Sequence, residues 1–318
     1  MPSVPRVFRS ALCGILRLSG CLAPLIAADT PPGVTLDVGF HNGANFARAE
    51  FRLWLPPAVT PVRAALLLVP GSNEDGRVMV DDEAWRAFAA QHDLALVACC
   101  FSDQPHEQDF IEAYANAARG SGQALLDALQ QFADRSQHPE LANAPLLLWG
   151  MSAGGEFNYE FAAWRPERVI AFVVNKGGIY YSALVSPAAR AVPALLFVGE
   201  RDLPSRIGII KGLFAVNRRA GALWALTPEP GVAHAEGRSR ALSQLFFADV
   251  LPLRLNAPGS PLRTLDASTG LLGDPATGAI TPAGRASVPD SLTAWLPTPR
   301  VAAAWRAVVT DAPSADSP

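Results

Sequence analysis

Two patterns of apolar and polar positions alternate between residue 34 and residue 255. Short continuous apolar runs are typical of strands buried on both faces of a sheet. Such runs predict strands at Ala64–Val69, Leu94–Phe101, Pro145–Trp149, Val169–Val174, Ala194–Val198 and Leu223–Thr227. A half-exposed strand over residues 45–55 precedes them, because apolar and polar residues alternate there.

The segments between these runs carry apolar residues at helical spacing. They predict helices at Trp85–His92, Phe110–Phe132, Ala153–Trp164, Arg206–Arg219 and Ser239–Val250. Only Gly120-Ser121-Gly122 interrupts the second of these. Buried strands separated by helices build a largely parallel sheet covered by helices, so residues 34–255 are expected to form an α/β domain.

The composition changes after Asn256. Residues 256–300 contain 7 prolines and 5 glycines, too many for an element of the core. The segment nevertheless carries apolar pairs such as Leu271-Leu272 and Trp295-Leu296. We therefore expect residues 256–310 to form an ordered arm packed on the domain. It would end in a helix after Pro299, with Thr298 as the cap, before a disordered tail at 311–318.

Residues 1–28 have the features of a signal peptide. Arg6, Arg9 and Arg17 precede the short apolar run Leu18–Ile26, and the small residues Ala27-Ala28 follow it. The run is shorter than the roughly 20 residues that span a bilayer. The segment predicts export from a bacterial cytoplasm, to the periplasm or the medium, with no transmembrane segment.

Other interpretations of the leader stay open. Leu18-Ser19-Gly20-Cys21 resembles the lipobox of bacterial lipoproteins, which would place a lipid anchor on Cys21. Arg17 counts against this, because it interrupts the apolar region beside the box. An unstructured leader behind a misplaced start codon is the third interpretation. Either export route leaves only Cys99 and Cys100 as unmodified cysteines, and we expect them to be buried free thiols on opposite faces of a strand.

Composition and charge exclude several classes of protein. Half of the 318 residues are hydrophobic and 17% are charged, which excludes a long disordered chain. The net charge is −3 and no basic stripe is present, so no nucleic-acid partner is expected. The four cysteines match neither a zinc-ligand spacing nor a dense disulfide framework, and no metal or organic cofactor is expected.

The strongest chemical signal is the pentapeptide Gly150-Met151-Ser152-Ala153-Gly154, between a predicted strand and a predicted helix. A sharp strand–turn–helix lifts the hydroxyl of its serine clear of the sheet and forms a nucleophile elbow. The small residues Gly150, Ala153 and Gly154 relieve crowding where the strand and helix cross. Ser152 is therefore the candidate nucleophile.

A serine hydroxyl needs a base and an orienting carboxylate to act as a nucleophile. In a fold with this elbow the chain order is serine, acid, histidine. His234 is the only histidine after Ser152 and so is the candidate base. Asp202 is the preferred acid because it stands beyond the end of a buried strand, with Glu200 as the alternative.

The oxyanion formed during attack needs two backbone N–H donors. We expect one from Met151, beside the nucleophile. We expect the other from Ser72, in the polar loop Pro70-Gly71-Ser72-Asn73 that follows a buried strand.

Together these motifs resemble the α/β-hydrolase superfamily, and residues 34–255 cover its core. Within it the chain is most similar to secreted polyhydroxybutyrate depolymerases and feruloyl esterases. It departs from them in having Pro70 where many members carry a histidine, and in lacking their disulfides. The resemblance implies a mostly parallel central sheet of about eight strands with helices on both faces.

The resemblance and the triad imply a serine esterase that cleaves a carboxylic ester, small or polymeric, through an acyl-enzyme. An acyltransferase or peptidase with the same triad is one alternative, and a non-catalytic binding protein of the same fold is another. Several aromatic residues are expected in the core or beside the substrate: Phe157, Tyr159, Tyr180, Tyr181 and Trp295. Lys176 is expected at the surface.

Overall fold

The apolar runs of the sequence form the central sheet in the structure, which is a computed structural model. It describes residues 1–3, 33–57, 59–108, 111–257, 259–284 and 292–310. The predicted cleavage region and Cys21, like the predicted tail at 311–318, lie outside the described residues.

Eight strands form one sheet in the order β1-β2-β4-β3-β5-β6-β7-β8. Strand β2 is antiparallel to both β1 and β4, and the remaining neighbours are parallel. The mostly parallel sheet of about eight strands is thus confirmed. The strands are β1 Val34–Gly43, β2 Phe46–Leu55, β3 Ala64–Val69, β4 Leu94–Ser102, β5 Leu146–Met151, β6 Val169–Asn175, β7 Ala194–Gly199 and β8 Trp224–Glu229.

Helices cover both faces of the sheet, and each face has its own apolar core. Helices α2, α3, α4 and α5 contribute to one core, and α1, α6 and α7 to the other. Alternate residues of the central strands point into the two cores, as expected for strands buried on both sides. The helices are α1 Glu83–Gln91, α2 Ser121–Ser136, α3 Ala153–Trp164, α4 Pro187–Arg190, α5 Pro204–Arg219, α6 Ser239–Arg254 and α7 Pro299–Thr310.

The structure corrects the prediction of one helix over residues 110–132. Helix α2 begins only at Ser121, and two 3-10 turns, Ala113–Ala115 and Ala117–Arg119, precede it. Gly120, between the second turn and α2, has φ +142°, a conformation that residues with a Cβ rarely adopt. The chain therefore turns at Gly120, and a continuous helix cannot form.

Strand β1 was not predicted from the apolar pattern. It forms the edge of the sheet as an antiparallel hairpin with β2, and only Val38 in it is buried. Most of its side chains face solvent, so its sequence lacks the apolar run that marks an inner strand.

The arm after Asn256 carries a small sheet of three strands, with β9 (Leu271–Gly273) between β10 (Ile280–Pro282) and β11 (Ala294–Leu296). Buried Trp305 of α7 donates from Nε1 to the carbonyl of Leu226 in β8, at 3.0 Å. The Thr298 hydroxyl accepts the N–H of Val301 at 3.1 Å and so caps α7. Residues of β11 and α7 thus belong to the same apolar core as α1 and α6.

Candidate active site

Ser152 stands at a sharp turn between β5 and α3. Its backbone has φ 53° and ψ −124°, in the region that residues with a Cβ rarely occupy. A Cβ at Gly150 would lie 2.3 Å from the carbonyl oxygen of Gly154, and a Cβ at Gly154 would lie 2.2 Å from that of Val69. Glycine at both positions therefore permits the close crossing of strand and helix that holds Ser152 in its strained conformation.

The structure brings Ser152, His234 and Asp202 together at the carboxyl ends of neighbouring strands. Asp202 follows β7, and His234 lies in the loop between β8 and α6. His234 Nε2 is 3.1 Å from Ser152 Oγ, and His234 Nδ1 is 2.9 Å from Asp202 Oδ2. This is the geometry of a nucleophile, a base and an orienting carboxylate.

Asp202 is held as a carboxylate by its neighbours. Burial alone raises its pKa, but hydrogen bonds from His234, the Leu203 N–H and Arg206 outweigh burial and lower it. The Arg206 guanidinium contacts Oδ1 at 2.6 Å, leaving Oδ2 for the imidazole. The alternative acid, Glu200, is exposed and makes no hydrogen bond to His234.

The predicted oxyanion loop follows β3, and Ser152 follows β5. Because β3 and β5 pair in parallel, the loop and the nucleophile leave the sheet from neighbouring strands. The Ser72 side chain donates to the carboxylate of Glu112, and the Asn73 N–H donates to Tyr114 Oη at 3.2 Å. In the part of the chain that the structure describes, the backbone N–H of Ser72 has no hydrogen-bond acceptor. It is therefore free to bind an oxyanion.

Met151 is wrong as the second oxyanion donor. It precedes Ser152 and pairs within the sheet with Asn175 of β6. The residue that follows the nucleophile is Ala153, the first residue of α3. The first N–H groups of a helix have no partner within it, and they lie at the positive end of its dipole. The Ala153 amide therefore replaces Met151 in the assignment.

Lys176 is also corrected, because it is fully buried rather than at the surface. Its ammonium group pairs with the carboxylate of Glu229 at the end of β8. Nothing in the local sequence Asn175-Lys176-Gly177 distinguishes it from a solvated lysine, since its partner lies 53 residues away. Only the arrangement of the strands brings the two charges together.

The aromatic residues divide between core and surface. Phe157, Tyr159 and Trp295 are buried, whereas Tyr181 is 44% exposed. The Tyr181 hydroxyl donates to the carbonyl of Glu112 at 3.0 Å, close to the Ser72 loop. Partly buried Tyr180 packs against the ring of Tyr159. Of this set, Tyr181 is the candidate for substrate contact.

An open cavity of about 380 Å³ adjoins the Ser72 loop. Its lining includes Ser72, Asn73, Asp103, His106, Ile111 and Glu112. Among the described residues its lining includes no member of the triad, and Ser72 is the residue that the cavity shares with the predicted oxyanion loop. Two of its residues are in contact, with His106 Nε2 at 3.0 Å from Asp103 Oδ2.

One group among the described residues has the spacing of metal ligands. Glu50, Asp75 and Cys100 have ligand atoms within 4.8 Å of one another. Arg77 already contacts both carboxylates. The Cys100 thiol is buried, which raises its pKa and disfavours the thiolate that binds metals. We interpret this group as an ion-pair network.

Comparisons with known proteins add one finding about the fold. No protein-family model and no curated protein matches the chain. Among solved structures it is similar to LpqC, a poly(3-hydroxybutyrate) depolymerase from Bordetella parapertussis. The TM-score is 0.51 and the identity 17%, over 74% of this chain and 92% of that one.

Two further solved structures are similar. Poly(aspartic acid) hydrolase-1 from Sphingomonas sp. KT-1 is 17% identical over 67% of this chain and 98% of its own, with a TM-score of 0.48. An esterase from Pyrobaculum calidifontis is 15% identical over 71% of this chain and 87% of its own, also with a TM-score of 0.48.

The protein has the α/β-hydrolase fold, as its motifs predict. The strand order, the elbow after β5 and the likeness to the depolymerase agree on this. No described helix combines the length and the apolar character that crossing a membrane requires.

Proposed function

We propose that the protein is a serine hydrolase that cleaves carboxylic esters through an acyl-enzyme. One observation carries the proposal: Ser152 Oγ, the His234 ring and Asp202 form a continuous hydrogen-bonded chain with links of 3.1 and 2.9 Å. The chain begins at a strained turn that presents the hydroxyl to solvent. The His234 side chain is 34% exposed, so a substrate can reach it.

In the proposed reaction, Ser152 Oγ attacks the acyl carbon while His234 Nε2 takes its proton. Asp202 holds the imidazole by Nδ1 and stabilises the imidazolium that forms. The negative oxygen of the tetrahedral intermediate binds the amides of Ser72 and Ala153. His234 then protonates the departing alkoxide, and water cleaves the acyl-enzyme by the same steps to release the acid.

The likeness to a poly(3-hydroxybutyrate) depolymerase supports an ester of a hydroxy acid, small or polymeric, as the substrate. An acyltransferase or a peptidase would use the same three side chains. The exposure of His234 gives water access to the base, as hydrolysis of the acyl-enzyme requires. A non-catalytic binding protein would not need the triad to be complete.

We further propose that the protein is exported from a bacterial cytoplasm. The basic and apolar pattern of residues 1–28 supports a cleaved signal peptide and a periplasmic or secreted product. The lipobox at Cys21 supports a lipid anchor as the alternative route.

The proposed nucleophile can be tested with a fluorophosphonate probe, which labels only activated serines. We expect labelling of the wild type, and its loss in Ser152→Ala and in His234→Ala, since each variant removes one half of the proton transfer. The control is Ser205→Ala, which removes an exposed serine at the start of α5 and should label like the wild type. A folded wild type that takes no label would contradict the proposal and favour the binding protein.

The Ser72→Ala variant tests whether the oxyanion binds the backbone N–H of Ser72 or its side-chain hydroxyl. The variant keeps the Ser72 amide but removes the hydrogen bond to Glu112. We expect kcat/KM for a p-nitrophenyl ester to fall no more than about tenfold, because the backbone N–H that would bind the oxyanion is unchanged and only a side-chain contact outside the triad is lost. A decrease on the order of 10³-fold would assign the oxyanion contact to the hydroxyl instead.

A further inference from the structure

A fully buried ion pair lies at the carboxyl edge of the sheet, where the catalytic loops begin. Lys176 directly follows β6 and Glu229 ends β8, and neither side chain is exposed to solvent. The Lys176 ammonium donates to Glu229 Oε2 and, at 2.8 Å, to the side-chain oxygen of Asn175. The pair therefore links the ends of two strands on either side of β7.

The pair and Asn175 hold the loop that carries His234. Glu229 Oε1 accepts the backbone N–H of Arg238 at 2.6 Å, so the loop is tied back to the strand from which it leaves. Asn175 Nδ2 donates to the carbonyl of Glu236 at 3.1 Å and to Ser239 Oγ at 2.8 Å. These bonds fix the segment immediately after His234.

The loop that carries Asp202 contacts the same two residues, Lys176 and Glu229. The Glu200 N–H donates to the Glu229 carbonyl at 3.2 Å. A Cβ on Gly199 would lie 2.9 Å from Lys176 Cε, so the backbone at the end of β7 passes directly over the lysine chain. The same ion pair thus supports both loops that present the base and its orienting acid.

A buried ion pair is weak evidence for stability, because desolvation costs several kcal/mol per ion and an apolar pair of similar volume often does as well. The position of the pair, in contact with the loops of His234 and Asp202, is more informative about its role than its burial. We propose that Lys176 and Glu229 are positioning residues for the triad, which fix the loops of His234 and Asp202 and balance the charge that the His234 imidazole experiences. This inference rests on the proposed function.

The two other carboxylates that interact electrostatically with Lys176 already have cationic partners of their own, so Glu229 is the partner of Lys176. Asp202 is paired with Arg206, and Glu236 with Arg240. Burial lowers the pKa of Lys176, and the attraction of Glu229, Asp202 and Glu236 opposes that effect. Loss of either member leaves the other buried without its counter-charge. Burial then favours the neutral form, whereas the hydrogen bonds from Lys176 to Asn175 Oδ1 and from the Arg238 N–H to Glu229 Oε1 favour the charged form.

Two variants test the inference, because they leave charges of opposite sign in the core. Glu229→Gln leaves the ammonium unbalanced, which disfavours the imidazolium, so the acid limb of the kcat/KM pH profile should move to lower pH. Lys176→Met leaves the carboxylate unbalanced and should move the limb to higher pH. Each shift should be on the order of one pH unit, because solvent screens a buried charge much less than an exposed one. The double variant should return the limb toward the wild-type position.

Controls separate this role from a structural one. The exposed Glu200→Gln should leave the limb in place, because solvent screens the change. Lower turnover in both single variants with an unmoved limb, or shifts of the same sign, would overturn the inference. Glu229→Gln changes the shape of the side chain very little. If Lys176→Met does not fold, the direction of the limb shift in Glu229→Gln decides the inference by itself.

A second readout separates this inference from the proposed function. NMR titration of the His234 ring reports the same opposite shifts without any turnover. Opposite shifts in a protein that hydrolyses no ester would support the charge balance and contradict the esterase. Turnover without opposite shifts would contradict only the inference.

Discussion

Asp202→Asn should lower kcat for ester hydrolysis by about 10⁴-fold, with KM nearly unchanged, as expected when the acid of such a triad becomes an amide. The amide has almost the same shape but cannot stabilise the imidazolium, and it favours the wrong tautomer of His234. It also leaves Arg206, which contacts Oδ1 at 2.6 Å, without its carboxylate.

Glu200→Gln is the matched control, because it makes the same change two residues away on an exposed side chain. Its kcat should stay within about twofold of the wild type, since it makes no bond to the imidazole. Steady-state kinetics with one p-nitrophenyl ester compares the two variants. A larger loss in Glu200→Gln than in Asp202→Asn would reverse the assignment of the acid.

Glu156→Gln should raise the free energy of unfolding at pH 8 by up to about 3 kcal/mol, because a pKa difference of 1 corresponds to about 1.4 kcal/mol. Burial raises the pKa of Glu156 to about 7, more than the N–H groups of Gly178 and Ile179 lower it. Its Oε1 accepts both N–H groups, whereas its Oε2 has no partner among the described residues. Glutamine keeps an acceptor for the loop and removes the buried charge.

The pH dependence of this effect has a definite sign. Because the folded pKa lies above the unfolded value, the folded protein binds more protons, and wild-type stability falls as pH rises from about 4.5 to about 7. Nearby Glu112 raises the pKa further and Arg206 opposes it. The difference between Glu156→Gln and wild type should therefore be small at pH 5 and reach its maximum at pH 8.

Chemical denaturation at both pH values measures the difference. Glu160→Gln is the control, one turn later on α3. It is also a buried carboxylate, but both of its oxygens accept hydrogen bonds, from the N–H groups of Tyr181 and Ser182 and from Ser182 Oγ. Burial raises the pKa of Glu160 as well, but these hydrogen bonds oppose burial, so Glu160→Gln should gain less stability at pH 8 than Glu156→Gln. A Glu156→Gln variant that is less stable than wild type at pH 8 would show that the carboxylate charge is required.

The candidate triad could be predicted from the sequence because its signals are local. The elbow needs small residues within five positions, and Asp202 directly follows an apolar run that is recognisable as a strand. Chain order then left His234 as the only histidine available. The inner strands were predictable for the same reason, since burial on both faces produces unbroken apolar runs.

Other features could not be predicted from the local apolar pattern. Strand β1 forms only because β2 offers it a free edge. The error at residues 110–132 came from an apolar spacing that continued through Gly120, although the backbone turns there. Lys176 and Glu229 each look like ordinary charged residues until β6, β7 and β8 lie side by side.

The sequence by itself determined the order of buried strands and helices and the residues of the elbow. It also determined the identities of the candidate acid and base, because these depend on residue type and short spacing. Only the tertiary structure decided which charges are buried and paired, which backbone amides stay free beside Ser152, and how the loops of Asp202 and His234 are held. The reason is physical: desolvation and hydrogen-bond geometry depend on neighbours in space, and these neighbours come from strands far apart in the chain.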